Sequence, residues 1–310
     1  MRYVEKFVSQ RKRRMLELVV QNEQDLKELA KHVDEKAVCV SLEYASYLKQ
    51  FTSIEDIVLT CGSNSSAAQF MAPAESSVEA IEGIYSQKNL RSLAIKYEKG
   101  EDGNELYQID LARFPKIEHV YVRDSRDITG LQGASSLRSL MIVKYAEQDL
   151  SPLRGCRLDT LCILSGKLRD LSGIEGLPLK ILSISYCPIR KIEPVNGVST
   201  LQCMEIEACG RIDDMELLAS DSLEFLILLG RKKIPSLKFV RNLTSLRRIW
   251  LEWAVEDCDL SALDSLETAK LFTDKRGYNR KNKDLPKSST PYDIPSIPRW
   301  RYYFADRTIY

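Results

Sequence analysis

Leu179-Lys180-Ile181-Leu182-Ser183-Ile184-Ser185 is the stretch that decides the fold, because its spacing of apolar residues recurs along most of the chain. The pattern is Leu-x-x-Leu-x-Leu, with Ile, Val, Met or once Ala in place of Leu, and it returns every 20 to 23 residues once it is under way. A period of this length predicts a solenoid, in which each copy is one structural unit stacked on the next. The second positions of the pattern are Leu93, Val120, Leu140, Leu161, Leu182, Met204, Leu226, Ile249 and Ala269.

Each copy of the repeat predicts one short strand and one return segment. In the quoted copy the strand is expected over residues 181–185, and alternation sends Leu182 and Ile184 inward and the other three side chains outward. Stacking then buries an apolar face that no single copy could bury alone. The apolar residues of the return segment re-enter the core from the far side: Ile189, Ile192, Val195 and Val198.

Several return segments share a short turn sequence. They read Asp127-Ile128-Thr129, Asp149-Leu150-Ser151, Asp170-Leu171-Ser172 and Asp259-Leu260-Ser261. In this the chain resembles the short-repeat leucine-rich class typified by bacterial internalins. The resemblance implies an α/β leucine-rich repeat solenoid with a parallel sheet on a concave face and short helical or extended segments on the convex face. It also implies a concave sheet that binds other proteins without a cofactor, but it is not specific for the ligand.

The chain departs from that class at one position of the repeat. The class places Asn three residues after the last strand Leu, where its amide bonds to neighbouring backbone. Cys, which stands there twice, is a weak donor, so we expect backbone groups or water to complete the inner ladder. The residues at this position are Ser125, Tyr145, Gly166, Cys187, Cys209, Arg231 and Ala254.

The ends of the chain differ in composition from the repeats. Residues 1–35 are expected to form an N-terminal cap with a first atypical repeat, residues 36–273 the solenoid, and residues 274–310 a C-terminal basic and aromatic cap or tail. Residues 61–79 and 96–105 interrupt the register. We interpret them as tolerated surface loops in preference to loops of a binding face. The aromatic residues of the tail predict packing over the last repeat: Trp300, Tyr302, Tyr303, Phe304 and Tyr310.

Composition excludes several classes of protein. The formal charge of +1 makes no case for a polyanionic partner, and no apolar run is long enough to span a membrane. Charges occupy the N-terminus where a secretory segment would be apolar, so we expect a cytoplasmic protein or one exported without such a signal. The eight cysteines contain no C-x-x-C pair, which favours free thiols in a reducing compartment.

The sequence carries no motif for catalysis. His32 and His119 are the only histidines, and each is better explained as a structural or surface residue. Neither metal-ligand spacing nor a phosphate-binding loop is present, so we expect no cofactor and no enzyme. Cys61, beside an insertion, is the one thiol whose replacement would test a catalytic role.

The strand positions that point outward supply the candidate binding residues. Many are apolar although the fold should expose them to solvent. Contiguous apolar patches on soluble proteins mark interaction surfaces. Three alternatives stay open: the C-terminal tail covers them, a homodimer buries them, or the register is off by one residue. The predicted partner-binding residues are Tyr121, Arg123, Met141, Leu164, Glu205, Glu207, Phe225, Ile227, Leu229, Arg248, Trp250, Glu252 and Phe272.

These observations favour a protein-binding module, acting as an inhibitor or immunity protein that occupies its partner. The alternative is an adaptor or scaffold that binds nucleic acid or an anionic surface through residues 11–14 and 275–287. Nucleic acid is disfavoured, because these basic clusters lie at opposite ends of the solenoid rather than in one stripe. Self-association remains possible, and the sequence does not identify the partner.

Overall fold

The computed structural model describes residues 2–8, 11–18, 23–60, 74–96 and 108–288. Within it the chain divides into two compact units, and the division falls after Met141. Cys61, most of the two predicted insertions and the aromatic residues from Trp300 onward lie outside the described residues. Among the residues described, no helix combines the length and apolar composition that crossing a bilayer requires.

The first unit contains a parallel ladder that starts from an antiparallel hairpin. Strand β1 (Arg2–Val8) pairs antiparallel with β2 (Arg11–Leu18), and the ladder continues in parallel through the next strands. These are β3 (Ala37–Ser41), β4 (Asp56–Thr60), β5 (Ser92–Ile95) and β7 (His119–Asp124), while β6 (Ile109–Asp110) pairs with β8 (Ile128–Thr129). The basic cluster at residues 11–14 belongs to a strand, because β2 begins at Arg11 itself.

Helices follow several of these strands. The two α-helices described in this unit are α1 (Glu23–Leu29) and α2 (Ala74–Tyr85). 3-10 helices span Leu42–Gln50, Leu111–Arg113, Ser125–Asp127 and Leu131–Gly133.

The second unit repeats one strand and one return segment. Strand β9 (Ser139–Tyr145) contains the division between the units. The parallel ladder then runs through β10 (Thr160–Gly166), β11 (Ile181–Ser185), β12 (Cys203–Glu207), β13 (Phe225–Leu229), β15 (Arg248–Leu251) and β17 (Thr268–Leu271). Strand β14 (Lys233–Ile234) pairs with β16 (Ala254–Val255) among the return segments. The strand predicted over residues 181–185 and the parallel leucine-rich repeat sheet are confirmed.

The return segments of this unit carry single turns of 3-10 helix. These turns span Ser151–Leu153, Glu193–Gly197, Met215–Leu217, Lys238–Asn242 and Ser261–Leu263. Two of these turns, at Ser151 and Ser261, begin with the Ser of an Asp-Leu-Ser sequence. The copy at Asp170 forms a turn without 3-10 helix, in which Asp170 Oδ1 accepts bonds from the backbone N (2.8 Å) and hydroxyl (2.7 Å) of Ser172. The equivalent carboxylate of Asp149 accepts from Ser151 N, and this backbone donor lowers the pKa of Asp149 below its ordinary value. In this turn sequence the Asp carboxylate therefore stabilises the turn by accepting from the backbone N two residues later.

The last strands reveal which side of the sheet faces the core. In β15, Ile249 and Leu251 are buried, whereas Arg248 and Trp250 are half-buried. Pairing carries this alternation back to Leu226 and Leu228 of β13 and to the equivalent residues of each earlier strand. The register is therefore the predicted one, and a slip by one residue is excluded.

Side chains other than asparagine donate to the backbone carbonyls near the turns that follow the strands. The thiol of Cys209 lies 3.8 Å from Ile184 O in the preceding repeat and 3.4 Å from Glu207 O. Farther along, the buried indole of Trp253 donates to Leu229 O at 2.8 Å. The expectation that only backbone or water completes this ladder is wrong here, because a thiol and an indole N–H supply donors.

Replacing Trp253 by Phe is expected to lower the free energy of unfolding by about 0.5–1.5 kcal/mol, because the indole bond to Leu229 O is lost while Ala208 N still donates to that oxygen at 3.0 Å. The measurement is urea unfolding followed by circular dichroism. Trp250→Phe is the matched control, since that ring is half-buried. Equal midpoints for the two variants would mean that the indole bond contributes nothing.

Residues 274–288 lie against the last repeat. Tyr278, which is buried, accepts a bond from Val255 N at its hydroxyl (3.0 Å), and the Asn279 side chain accepts from Leu260 N (2.8 Å). Beyond them, Pro286 O accepts from Ala269 N of β17 (3.0 Å). This segment therefore supplies hydrogen-bond partners to the final repeat and its strand.

Candidate functional site

The outward positions of the second unit form three rows across its strands. The middle row pairs in register from Cys162 through Ser183, Glu205, Ile227 and Trp250 to Lys270. On one side of it runs the row that contains Ile181, Cys203, Phe225, Arg248 and Thr268, and on the other the row that contains Leu164, Ser185, Glu207, Leu229, Glu252 and Phe272. The predicted candidates from this unit therefore share one side of the sheet.

The exposure expected for these rows is wrong over strands β11 to β13. Phe225 is 1% exposed and Ile227 2%, and Leu229 and Glu205 are also buried. Apolar outward side chains from neighbouring strands pack into one cluster, which we call the outer cluster: Ile181, Cys203, Phe225, Ile227 and Leu229. Their mutual packing across adjacent strands removes much of the surface that an isolated outward residue would expose.

Polar residues lie beside the outer cluster. The Ser183 hydroxyl donates to Glu205 Oε2 at 2.8 Å inside the buried part of the rows. At the next outward pair along β11 and β12, the Ser185 hydroxyl lies 3.5 Å from Glu207 Oε2, and Glu207 is half-buried. Two carboxylates thus occupy neighbouring outward positions of β12.

The exposed part of the rows lies at the last two strands. Phe272 is 45% exposed, and Trp250 is half-buried with its ring edge-on to Phe225 at 5.1 Å and to Phe272 at 6.4 Å. The Lys270 ammonium lies 5.4 Å from the Trp250 ring centre and 4.7 Å from that of Phe272. We call Trp250, Lys270 and Phe272 the aromatic patch.

Charged residues flank the aromatic patch. Arg248 is half-buried at the start of β15, and Glu252 is exposed just after its end. The Glu252 carboxylate accepts a bond from Gly230 N at 2.7 Å, which holds it beside the preceding repeat. The patch therefore combines aromatic surface with charges of both signs.

The remaining predicted residues vary in exposure. In the first unit, Tyr121 pairs with Ala94 and is buried, Arg123 is half-buried, and Met141 at the end of that unit is buried. In the second unit, Leu164 is half-buried. The predicted exposure is therefore wrong for Tyr121 and Met141, whose large side chains are buried.

Tyr186 is an exposed residue that the sequence pattern did not single out. Its side chain is 55% exposed, and its hydroxyl lies 3.5 Å from Glu207 Oε1. It stands in the turn after β11 with a φ of 51°, outside the strand rows. The signal that could have found it is its place in the repeat, one residue after the strand.

The potential metal ligands and nucleophiles of the described residues can be placed individually. No group of three His, Cys, Asp or Glu side chains there could hold a metal ion. Burial raises the pKa of the Cys162 and Cys203 thiols, so both stay protonated and are poor nucleophiles. His32 lies three residues beyond the end of α1, with its Nε2 3.5 Å from the Glu28 carboxylate.

The C-terminal basic cluster is partly engaged within the chain. Arg280 forms a two-pronged contact with the Asp264 carboxylate, whose closest approach is 2.6 Å. Lys281 donates to Lys275 O at 3.0 Å. These contacts engage two cations of the cluster within the chain.

Comparison with known proteins identifies the fold. No family model and no curated protein matches the sequence. Among solved structures, an internalin (InlF) of Listeria monocytogenes superposes with a TM-score of 0.51 at 15% identity, covering 83% of this chain and 79% of the internalin. A leucine-rich repeat protein of Leptospira interrogans superposes with a TM-score of 0.45 at 11% identity, covering 83% of this chain and 73% of that chain. The first likeness agrees with the leucine-rich repeat fold seen in the strands.

Proposed function

We propose that this leucine-rich repeat chain is a non-catalytic protein-binding module whose partner docks on the aromatic patch. The observation that carries the proposal is the exposed Phe272 beside the half-buried Trp250, with the Lys270 ammonium over both rings. Contiguous aromatic surface of this kind marks interaction sites, and Trp is among the residues that dominate binding energies.

The charges around the patch favour a protein over a polyanion. Glu252 and Glu207 lie on the same side of the sheet as the rings, and carboxylates there would repel phosphates. Aromatic surface with an Arg and mixed charges at its rim is the composition of protein interfaces. The engagement of Arg280 by Asp264 points the same way.

A finer proposal concerns how the module acts. We infer that it works in the cytoplasm by occupying its partner, as an inhibitor or immunity protein does, rather than by chemistry. The protonated state of the buried Cys162 and Cys203 thiols and the absence of a metal-ion grouping in the part of the chain that is described support a role without catalysis.

The test is a parallel affinity selection from the native source with the full chain and its variants. Trp250→Ala is expected to weaken partner binding by at least about 2 kcal/mol, roughly thirtyfold, because a central aromatic anchor is lost. Leu217→Ala is the matched control, since Leu217 is a comparably exposed apolar residue (54%) on a return segment.

The proposal requires one protein that wild type and the control retain and Trp250→Ala loses. Equal retention by all three would refute the aromatic patch as the binding site. Retention that collapses steeply with added salt would support the polyanion alternative instead.

A further inference from the structure

The stretches that follow strands β10 to β13 carry an excess of positive charge. They are residues 167–170, 186–191, 208–214 and 230–233, and together they hold eight Lys and Arg residues against three Asp residues. The strands are parallel and paired in register, so these stretches leave the sheet along one side, which we call the basic edge. Its cations are Lys167, Arg169, Arg190, Lys191, Arg211, Arg231, Lys232 and Lys233.

Most of these cations are exposed and have no ion-pair partner within the described chain. Lys232 differs from the rest: it is half-buried, it donates to Gly210 O at 3.4 Å, and burial lowers its pKa. The other seven side chains are exposed, and none of them forms an ion pair or a hydrogen bond with a described residue. Their charges are therefore available to a ligand from outside the chain.

Like charges lie next to each other in the basic edge. Arg190 N donates to Arg169 O at 2.8 Å, so the two arginines occupy the same place in neighbouring repeats. Together with Lys191 they line a cleft of about 310 Å³, which Asp149 and Asp170 also border. Like charges on adjacent strands are destabilising, so the stability of this unit does not explain why the arginines are there.

The carboxylates near these arginines accept hydrogen bonds from the backbone. Asp149 and Asp170 each accept from the backbone N two residues later, at 2.9 and 2.8 Å. Asp214 accepts from two backbone N–H groups of the preceding repeat, at 2.9 and 3.0 Å. Of the three Asp residues in the basic edge, only Asp213 is exposed. The exposed charge of this edge is therefore mainly positive.

The opposite end of the same strands arranges its charges differently. There the residues that directly precede the strands alternate in sign, with one neutral residue among them. Arg247 Nε, for example, donates to Glu267 Oε1 of the next repeat at 2.6 Å. Opposite charges on neighbouring strands are stabilising, so the run of like charges at the basic edge departs from the arrangement that stability favours. The alternating residues are Asp159, Lys180, Gln202, Glu224, Arg247 and Glu267.

Acidic stretches bound the basic edge on both sides. Glu147 and Asp149 follow β9, and Glu252, Glu256 and Asp257 follow β15. From β10 to β13 the edge crosses three strand spacings, roughly 15 Å, which about five extended residues span. A long polyanion would meet acidic residues at either side, whereas a short acidic segment fits between them.

We propose that the basic edge binds an acidic segment of a partner protein, a short run of Asp and Glu residues that lies across the turns after β10 to β13. Arg169 and Arg190 are its central contacts, because a guanidinium group can bind a carboxylate through two parallel hydrogen bonds. The proposal goes beyond the proposed function and holds whether or not a partner docks on the aromatic patch.

The test is fluorescence anisotropy with the full chain and a fluorescein-labelled peptide of about eight glutamates, a length that exceeds the edge. Arg169→Glu combined with Arg190→Glu is expected to weaken binding of this peptide by about tenfold or more, because two attractive contacts become repulsive. Arg169→Gln combined with Arg190→Gln introduces no repulsion and should weaken binding by about threefold or more.

Lys238→Glu combined with Arg241→Glu is the matched control. Both residues are exposed cations of the return segment Lys238–Asn242, so this variant has the same change in net charge and an intact basic edge. At about 0.1 M salt the Debye length is about 10 Å, and the control should lose less than about threefold in affinity. Trp250→Ala should bind the peptide as the wild type does.

Several outcomes would overturn the proposal. An equal loss in the edge variant and the control would mean that net charge attracts the peptide. Absence of peptide binding by the wild type would remove the site. Tighter binding of an oligothymidylate of equal charge through the same two arginines would replace the acidic protein by a nucleic acid. Loss of peptide binding in Trp250→Ala would move the acidic segment to the aromatic patch.

Discussion

Replacing Gly166 by Ala is expected to lower the free energy of unfolding by roughly 3–5 kcal/mol, because the site excludes a side chain in two ways. Gly166 has a φ of 144°, a conformation that residues with a Cβ rarely adopt. An added Cβ would stand 2.2 Å from Tyr145 O and 2.7 Å from Tyr145 N. Both are backbone atoms of the preceding repeat, so relief would require separating β9 from β10.

Gly210→Ala is the matched control for this prediction. Gly210 lies in the turn after β12, has no positive φ, and an added Cβ would find no atom within 4 Å. Urea unfolding of the two variants followed by circular dichroism should give a large loss for Gly166 and almost none for Gly210. Similar midpoints would contradict the steric account.

Left-handed backbone in the turns of neighbouring repeats does not always require glycine. Tyr186 and Ala208, which directly follow β11 and β12, have φ values of 51° and 54°. These values lie near the left-handed helical minimum, which a side chain can occupy at modest cost. The φ of Gly166 lies far from that minimum, so the same substitution costs much more there.

The strands of the repeat could be predicted from the sequence because their signals are local. Spacing of Leu182 and Ile184 sets both the strand and its inward face, and the pairing of Ser183 with Glu205 follows from the period alone. The division after Met141 could not be predicted, since the apolar pattern continues through it unchanged. Likewise, nothing in the spacing indicates that the Trp253 indole replaces an asparagine amide.

The candidate site was predictable in position but not in exposure. Phe225 and Phe272 both occupy outward positions: Phe225 is the first residue of β13, and Phe272 directly follows β17. The repeat pattern alone does not distinguish their exposures. Their exposures differ because Phe225 packs among outward side chains of neighbouring strands and Phe272 does not belong to that cluster, which is a property of the folded chain. Tyr186 was missed for a related reason, because a turn residue has no place in an alternating strand pattern.

The contrast between these two phenylalanines gives a prediction about stability. Phe225→Ala is expected to lower the free energy of unfolding by about 3–5 kcal/mol, because a fully buried ring leaves a cavity among its neighbours. The ring packs in the outer cluster and edge-on against Trp250 at 5.1 Å. Phe272→Ala is the matched control: the same truncation on the same side of the sheet, at a residue that is 45% exposed.

Denaturant unfolding of both variants tests whether the outer cluster belongs to the interior of the protein or to its binding surface. A buried Phe225 gives a stability loss several times that of Phe272, while the aromatic patch of the Phe225 variant keeps its partner. If Phe225 were instead an open contact residue, its truncation would leave stability nearly unchanged and weaken binding, because its solvation would not differ between folded and unfolded chains. That second result would return Phe225 to the binding surface.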